Sequence, residues 1–86
     1  MKYRVVISRT ARKHLDGLPE HVQARALREI AALQDDPRPH GCVKLSGFTD
    51  EYRIRIGDYR VRYRVDDTAT EVAVIDVRHR KDIYRS

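Results

Sequence analysis

Apolar and polar residues alternate most regularly over residues 51–65, on both sides of Gly57-Asp58. Alternation of β-branched and aromatic residues predicts two strands. A two-residue loop that begins with Gly favours a type II′ hairpin turn, and type I′ is also compatible. The predicted register pairs Ile56 with Tyr59, Ile54 with Val61, Tyr52 with Tyr63, Arg55 with Arg60, Arg53 with Arg62, and Glu51 with Arg64. One face of the hairpin is then apolar, and the other, the arginine face, carries the five arginines of this stretch.

Two amphipathic helices are predicted between a first strand, residues 2–7, and this hairpin. Ser8 is a good N-cap for a helix from Arg9 to Asp16, which Gly17 ends. Pro19 occupies the first position of the second helix, where its missing N–H does no harm. The apolar residues of that helix repeat with the helical period, and it is expected to stop at 35–37 because the residue before a proline disfavours the α region.

The remaining strands complete an antiparallel sheet. Residues 43–45 suit a short strand, and residues 72–77 are apolar on both faces except at Asp76, as expected of a central strand. The predicted class is α+β: an N-terminal strand, a two-helix hairpin, then an antiparallel sheet of about four strands, all in one domain over residues 1–86. The apolar face of the hairpin should pack on the helices, and the charged tail after residue 77 can fold over the open arginine face.

The composition of the chain is basic and poor in cysteine. The 86 residues include 14 arginines and 4 lysines, and the net charge of +5 favours a nucleic-acid partner. Cys42 is the only cysteine, which excludes an intrachain disulfide and a cysteine-based zinc site. The N-terminal apolar run is too short for a signal peptide and no stretch approaches membrane-spanning length, so we expect a cytoplasmic protein without membrane contact.

The arginine face has two interpretations. Like charges directly opposite each other destabilise a sheet, and only Glu51 and Asp58 are expected nearby to compensate. The face is either an ordinary solvated surface or the contact surface for an anion. A stripe of arginines favours the anion, because the planar guanidinium fits phosphate oxygens.

The chemistry that the sequence permits is narrow. It has no carboxylate pair in a hydrolase setting, no glycine-rich phosphate loop and no metal-ligand spacing among its four histidines, so we expect neither a metal nor another cofactor. Cations, tyrosines and His79 remain. They suffice for phosphoryl transfer within RNA, where the ribose 2′-OH is the nucleophile and the protein orients the phosphate and neutralises charge. Tyrosines can stack on the bases of a single strand.

Three stretches carry a resemblance to a known family: Lys44-Leu45-Ser46-Gly47, residues 52–63, and residues 77–84, which end in His-Arg-Lys-Asp-Ile-Tyr. With these stretches the sequence resembles the RelE/ParE superfamily of bacterial toxins over nearly its whole length. The resemblance implies a RelE-like ribonuclease fold and a ribosome-dependent endoribonuclease that cuts mRNA in the A site and leaves a 2′,3′-cyclic phosphate. It also implies a tight complex with a cognate antitoxin, through which the pair binds operator DNA.

The resemblance also implies a set of site residues. Arg53 and Arg55 match hairpin residues used in proton transfer and charge stabilisation, Arg60 and Arg80 match phosphate-binding arginines, and Tyr84 matches a tyrosine that orients the substrate. Arginine cannot be deprotonated in proteins, so a general-base role does not transfer to Arg53 or Arg55. We therefore take His79 as the candidate proton acceptor. The further candidates for RNA contact are Lys44, Arg62 and Lys81.

Two other functions remain open at this point. A ParE-type toxin has the same fold but is a non-nuclease that binds DNA gyrase, and a basic adaptor would only bind RNA or protein. The terminal Asp82-Ile83-Tyr84, together with the full set of hairpin cations, favours the RelE type.

Overall fold

A computed structural model describes residues 2–45, 47 and 50–83, with only the backbone described at residue 83. Five strands form one sheet in the order β1-β5-β4-β3-β2, and the two longer helices pack on one face of it. The elements are β1 (Arg4–Ile7), α1 (Arg9–Asp16), α2 (Glu20–Ala32), β2 (Val43–Lys44), β3 (Glu51–Ile56), β4 (Tyr59–Asp66), β5 (Glu71–His79) and α3 (Arg80–Ile83).

The β3–β4 hairpin has the predicted register at all six pairs, from Glu51 opposite Arg64 to Ile56 opposite Tyr59. Gly57 has a φ of 60°, whereas Asp58 is not in the left-handed region. A positive φ at the first loop residue alone defines a type II′ turn, which was the favoured prediction.

The helices begin close to the predicted positions. Helix α1 has the predicted bounds, and the Ser8 side chain accepts a hydrogen bond from the Ala11 N–H at 3.0 Å. Pro19 is the N-cap of α2 rather than its first residue. The regular helix ends at Ala32, earlier than predicted, because the chain tightens into turns in which the N–H of Leu33 bonds the carbonyl of Ile30 at 3.1 Å.

The sheet is mixed rather than purely antiparallel. Strands β2 to β5 form the predicted antiparallel part, while β1 adds a fifth strand that pairs in parallel with β5. Strand β5 therefore has a neighbour on each side, as its apolar sequence predicted. None of the helices among the described residues is long and apolar enough to cross a membrane.

A bulge at Ile75 decides which side chains of β5 share a face. Arg62 pairs with Asp76 and Tyr63 with Val74, so Ile75 has no partner on β4. Before the bulge Val72 and Val74 face the helices, and after it Val77 does. The extra residue thereby turns Asp76 and Arg78 towards the arginine face.

The core lies between the two longer helices and the apolar face of the sheet. Tyr63 is fully buried there, and its hydroxyl donates to the Pro37 carbonyl at 2.8 Å. Burial raises the pKa of the Tyr63 phenol above its usual value. With the helices packed on one face, the arginine face is left open, as predicted.

Candidate functional site

The arginine face contains a cavity of about 330 Å³. Neighbouring strands bring its cations together, because Arg53 of β3 lies opposite Arg62 of β4, and Arg60 of β4 lies opposite Arg78 of β5. The tail also reaches the cavity, since α3 contributes Asp82. The lining of this arginine cavity is Leu45, Arg53, Arg60, Arg62, Asp76, Arg78 and Asp82.

Two buried carboxylates neutralise one part of the arginine face. Asp76 is 5% exposed and accepts hydrogen bonds from Arg62 at 2.9 Å and from Arg78 at 3.4 Å. Glu51 is also buried and accepts a bond from Arg64 at 3.0 Å. The expectation that only Glu51 and Asp58 compensate this face was wrong, because the bulge in β5 adds Asp76 beneath the arginines.

Arg53 and Arg60 differ from Arg62, Arg64 and Arg78 in their contacts with carboxylates. Among the described residues no carboxylate lies within ion-pair distance of either guanidinium, although both side chains are partly buried in the cavity wall. Within the part of the chain that the structure describes, Arg60 donates only to the carbonyl of Tyr59, at 3.3 Å. Arg53, Arg60 and the half-exposed Arg78 thus line the cavity with guanidinium groups, a side-chain type suited to binding anions.

Two further predicted arginines lie outside the cavity. Arg55 shares the arginine face by register, but its Nε donates to the Gly57 carbonyl at 3.1 Å and its side chain borders a neighbouring groove. Arg80 begins α3, where its N–H donates to the Asp58 carbonyl at 2.7 Å and its Nε lies 3.8 Å from the Asp58 carboxylate. The contacts of Arg55 and Arg80 thus stabilise the hairpin turn at Gly57-Asp58.

His79 lies on the helix side of the sheet. Its ring meets that of Tyr59 edge to face, with centroids 5.1 Å apart, and its Nδ1 accepts from the Lys81 N–H at 3.2 Å. The expectation that His79 reaches the arginine face is therefore wrong. Strict alternation from Val74 would have placed it there, and the bulge at Ile75 reverses its side. Its part in proton transfer stays a prediction that this position does not favour.

Of the remaining predicted site residues, only one is placed at the cavity by the described part of the structure. Arg62 lines the cavity. Lys44 lies opposite Tyr52, which places it on the helix side at the sheet edge, and Lys81 is exposed on α3. Tyr84 lies outside the described residues.

The sequence interpretation missed Arg78 and Asp76. The signal was present, because Asp76 is the one charged residue among residues 72–77. Arg78 lies two residues further on, the spacing at which side chains share a strand face. A buried acid in a central strand usually has a cationic partner, which points to the arginines of β4.

Comparison with known proteins agrees with this fold. Residues 5–84 match the model of the ParE toxins of type II toxin–antitoxin systems. Toxin RelG of Mycobacterium tuberculosis is 35% identical over 86 residues, 99% of each chain, and Toxin RelE of the same organism is 32% identical over 84 residues, covering 96% of this chain and 87% of the relative. The chain therefore belongs to the ParE toxin family of type II toxin–antitoxin systems, which confirms the predicted superfamily.

Solved structures show the same likeness. The RelE–RelB complex of Pyrococcus horikoshii superposes with a TM-score of 0.84 at 33% identity, covering 100% of both chains. A mutant of Escherichia coli toxin RelE in the free state has a TM-score of 0.81 at 27% identity, covering 95% of this chain and 87% of that one. The predicted RelE-like fold is confirmed.

Proposed function

We propose that this toxin is a ribosome-dependent endoribonuclease that cleaves mRNA in the A site by attack of the ribose 2′-OH on the adjacent phosphate. The observation that carries the proposal is the arginine cavity, in which Arg53 and Arg60 have no carboxylate partner among the described residues. Similarity to toxins named RelE over nearly the whole chain supports it.

The cavity suits the phosphate of the scissile bond. Guanidinium groups bind phosphate oxygens through paired hydrogen bonds, and Arg53, Arg60 and Arg78 approach the cavity from three adjacent strands. The extra negative charge of the pentacoordinate transition state strengthens these bonds, and such stabilisation accelerates the reaction. Positioning and charge stabilisation are thus the contribution of these arginines.

We propose that the reaction needs no metal ion. The 2′-OH supplies the nucleophile and the arginines supply the positive charge that a metal would otherwise provide. Cleavage in the presence of EDTA, under conditions that keep the ribosome intact, is the expected result.

Dependence on the ribosome follows from the openness of the site. The cavity lies on one face of the sheet and binds a phosphate, but few of its described groups can fix the ribose and the base. In-line attack requires close alignment of the 2′-oxygen, and we propose that the ribosome holds the message in that geometry.

We also propose a cognate antitoxin as a partner. The similar structures include the RelE–RelB complexes of Pyrococcus horikoshii and Methanococcus jannaschii and the intact RelBE complex of Escherichia coli. In our proposal the antitoxin neutralises this chain, and the complex binds operator DNA through the antitoxin. Ribosome and mRNA are the targets of the free toxin, in the cytoplasm.

A gyrase inhibitor without nuclease activity is the second candidate. The observation in its favour is that the family model that matches this chain is the model of the ParE toxins. The arginine cavity favours the nuclease instead, because a protein that only binds gyrase has no need of unpartnered guanidinium groups gathered around one small cavity.

One experiment separates the two candidates. The purified toxin is incubated with mRNA in the presence and absence of ribosomes, the ends are mapped by primer extension, and gyrase supercoiling is assayed in parallel. We expect cuts within ribosome-bound message, products with 2′,3′-cyclic phosphate and 5′-hydroxyl ends, and largely intact naked RNA. Inhibition of supercoiling without message cleavage would establish the gyrase function instead.

A further inference from the structure

The arginine cavity contains two carboxylates that differ in their surroundings. Asp76 is 5% exposed and bonded to Arg62 and Arg78. Asp82 is exposed on α3 at the wall of the same cavity. Among the described residues, no arginine lies within ion-pair distance of Asp82. Within the described part of the chain, arginines therefore occupy the oxygens of Asp76 but not those of Asp82.

Attack by a 2′-OH requires a group that removes its proton, and few of the described groups at the cavity can do so. Arginine stays protonated at any working pH, which excludes Arg53, Arg60, Arg62 and Arg78. Asp76 accepts two hydrogen bonds and is buried beneath the arginines, so it has little access to a ribose. His79 lies on the opposite face of the sheet, against Tyr59.

We propose that Asp82 is the proton acceptor for the 2′-OH of the nucleotide whose phosphate binds in the arginine cavity. This inference rests on the proposed nuclease function. Carboxylates act as general bases in many enzymes, and geometry is the first requirement. Asp82 lies on a helix that begins directly after β5, so the strand that carries Arg78 also brings Asp82 to the cavity.

The step balances as follows. The Asp82 carboxylate takes the proton of the 2′-OH while the 2′-oxygen forms its bond to phosphorus. The bond between phosphorus and the 5′-oxygen of the next nucleotide breaks, and that oxygen takes a proton from water. The products are a 2′,3′-cyclic phosphate and a 5′-hydroxyl. Asp82 then returns its proton to solvent, so no oxidant, reductant or further reactant is needed.

Asp82→Asn tests the proposal, because it keeps the shape of the side chain and removes its basic oxygen. Single-turnover cleavage of ribosome-bound message and affinity for the ribosome are measured for wild type, Asp82→Asn and Asp82→Glu. We expect Asp82→Asn to cut about 10²–10⁴-fold more slowly with unchanged affinity, and Asp82→Glu to recover part of the rate. Asp16→Asn removes the same charge from an exposed position on α1 and is expected to cut at the wild-type rate.

Each other outcome has a defined meaning. Wild-type cleavage by Asp82→Asn overturns the proposal. Faster cleavage with tighter binding also overturns it, because Asp82 would then compete with the phosphate for the arginines. A parallel loss of affinity and rate would reduce Asp82 to a positioning residue. If the wild-type toxin itself fails to cut ribosome-bound message, the proposed function fails, and the assignment of Asp82 fails with it.

Discussion

Arginine occurs in two contrasting settings in this molecule, around Arg38 and in the arginine cavity. Arg38, in the loop between α2 and β2, donates to both oxygens of Asp67 at 3.2 and 2.8 Å and to the Tyr52 hydroxyl at 3.0 Å. Its guanidinium carbon also lies 5.1 Å from the centre of the Tyr52 ring. Arg60, in contrast, bonds only one carbonyl among the described residues.

The contrast separates an arginine whose donors are used within the fold from one that lines a cavity and that we propose binds phosphate. The Asp67 carboxylate and the Tyr52 hydroxyl occupy the donors of Arg38, and this cluster joins a loop, a strand and the β4–β5 turn. Tyr3 adds to it by donating to Asp67 at 2.7 Å. Arg60 lines the cavity instead, so substitutions at the two arginines should separate stability from activity.

Of the variants that test this contrast, Arg60→Ala is expected to have the largest effect. Loss of one preorganised donor to a transition-state oxyanion typically costs a factor of about 10²–10³ in rate, and we expect the cleavage of ribosome-bound message to fall by at least that much. Thermal stability should hold, because removal of one arginine relieves repulsion with Arg55 and Arg78. Arg12→Ala, on the exposed surface of α1, is the matched control for charge.

Arg60 would instead be a structural residue if its alanine variant unfolded at a clearly lower temperature while the folded fraction remained toxic. Both quantities are accessible from circular dichroism and in vitro translation of the same preparations.

The arginine face illustrates how far the sequence could predict this molecule. Strict alternation and a Gly-Asp loop define register within a hairpin, and they were enough to place Arg53, Arg60 and Arg62 together. The pairing of β1 with β5 joins segments far apart in the chain, and no local pattern reports it.

The bulge at Ile75 explains most of the errors at the site. Residues 72–77 are nearly all apolar, so their pattern does not reveal which residue is skipped, and one extra residue reverses every side chain that follows. Because of this extra residue, Arg78, which the sequence interpretation left in the charged tail after residue 77, faces the arginines, and His79 faces the helices. Lys44 was assigned by resemblance alone, without a register, and it lies on the helix side.

An intermediate effect, on stability, is expected at Asp76, which lines the arginine cavity and also forms buried ion pairs with its arginines. Asp76→Asn removes the buried charge that binds Arg62 and Arg78. Breaking a buried ion pair can cost about 3–5 kcal/mol, but Arg62 is partly exposed and regains water, so we expect a loss of about 1–3 kcal/mol. Urea unfolding measures it, and Asp16→Asn is the control. Unchanged stability would show that Asp76 does not hold the arginine face together.

A smaller effect on stability is expected for Arg38→Met. The cluster around Arg38 is largely exposed, and exposed ion pairs and cation–π contacts contribute little, so we expect a loss of about 1 kcal/mol in the free energy of unfolding. Met retains much of the apolar stem that packs near Tyr52. Cleavage by the folded protein should match wild type. A large loss of cleavage at unchanged stability would mean that Arg38 belongs to the site.

The smallest expected effect is a pH dependence of stability that originates at Asp67. Hydrogen bonds from Arg38 and Tyr3 lower the pKa of the Asp67 carboxyl below its ordinary value. A group whose pKa is lower in the folded state stabilises the fold above its unfolded pKa, and this contribution is lost as the pH falls through the folded pKa. Unfolding in urea from about pH 7 down to pH 3 should therefore show a steeper loss for wild type than for Asp67→Asn. Asp16→Asn should follow the wild-type curve. If Asp67→Asn and wild type lost stability in parallel, the Arg38 cluster would contribute nothing to the acid sensitivity of the fold.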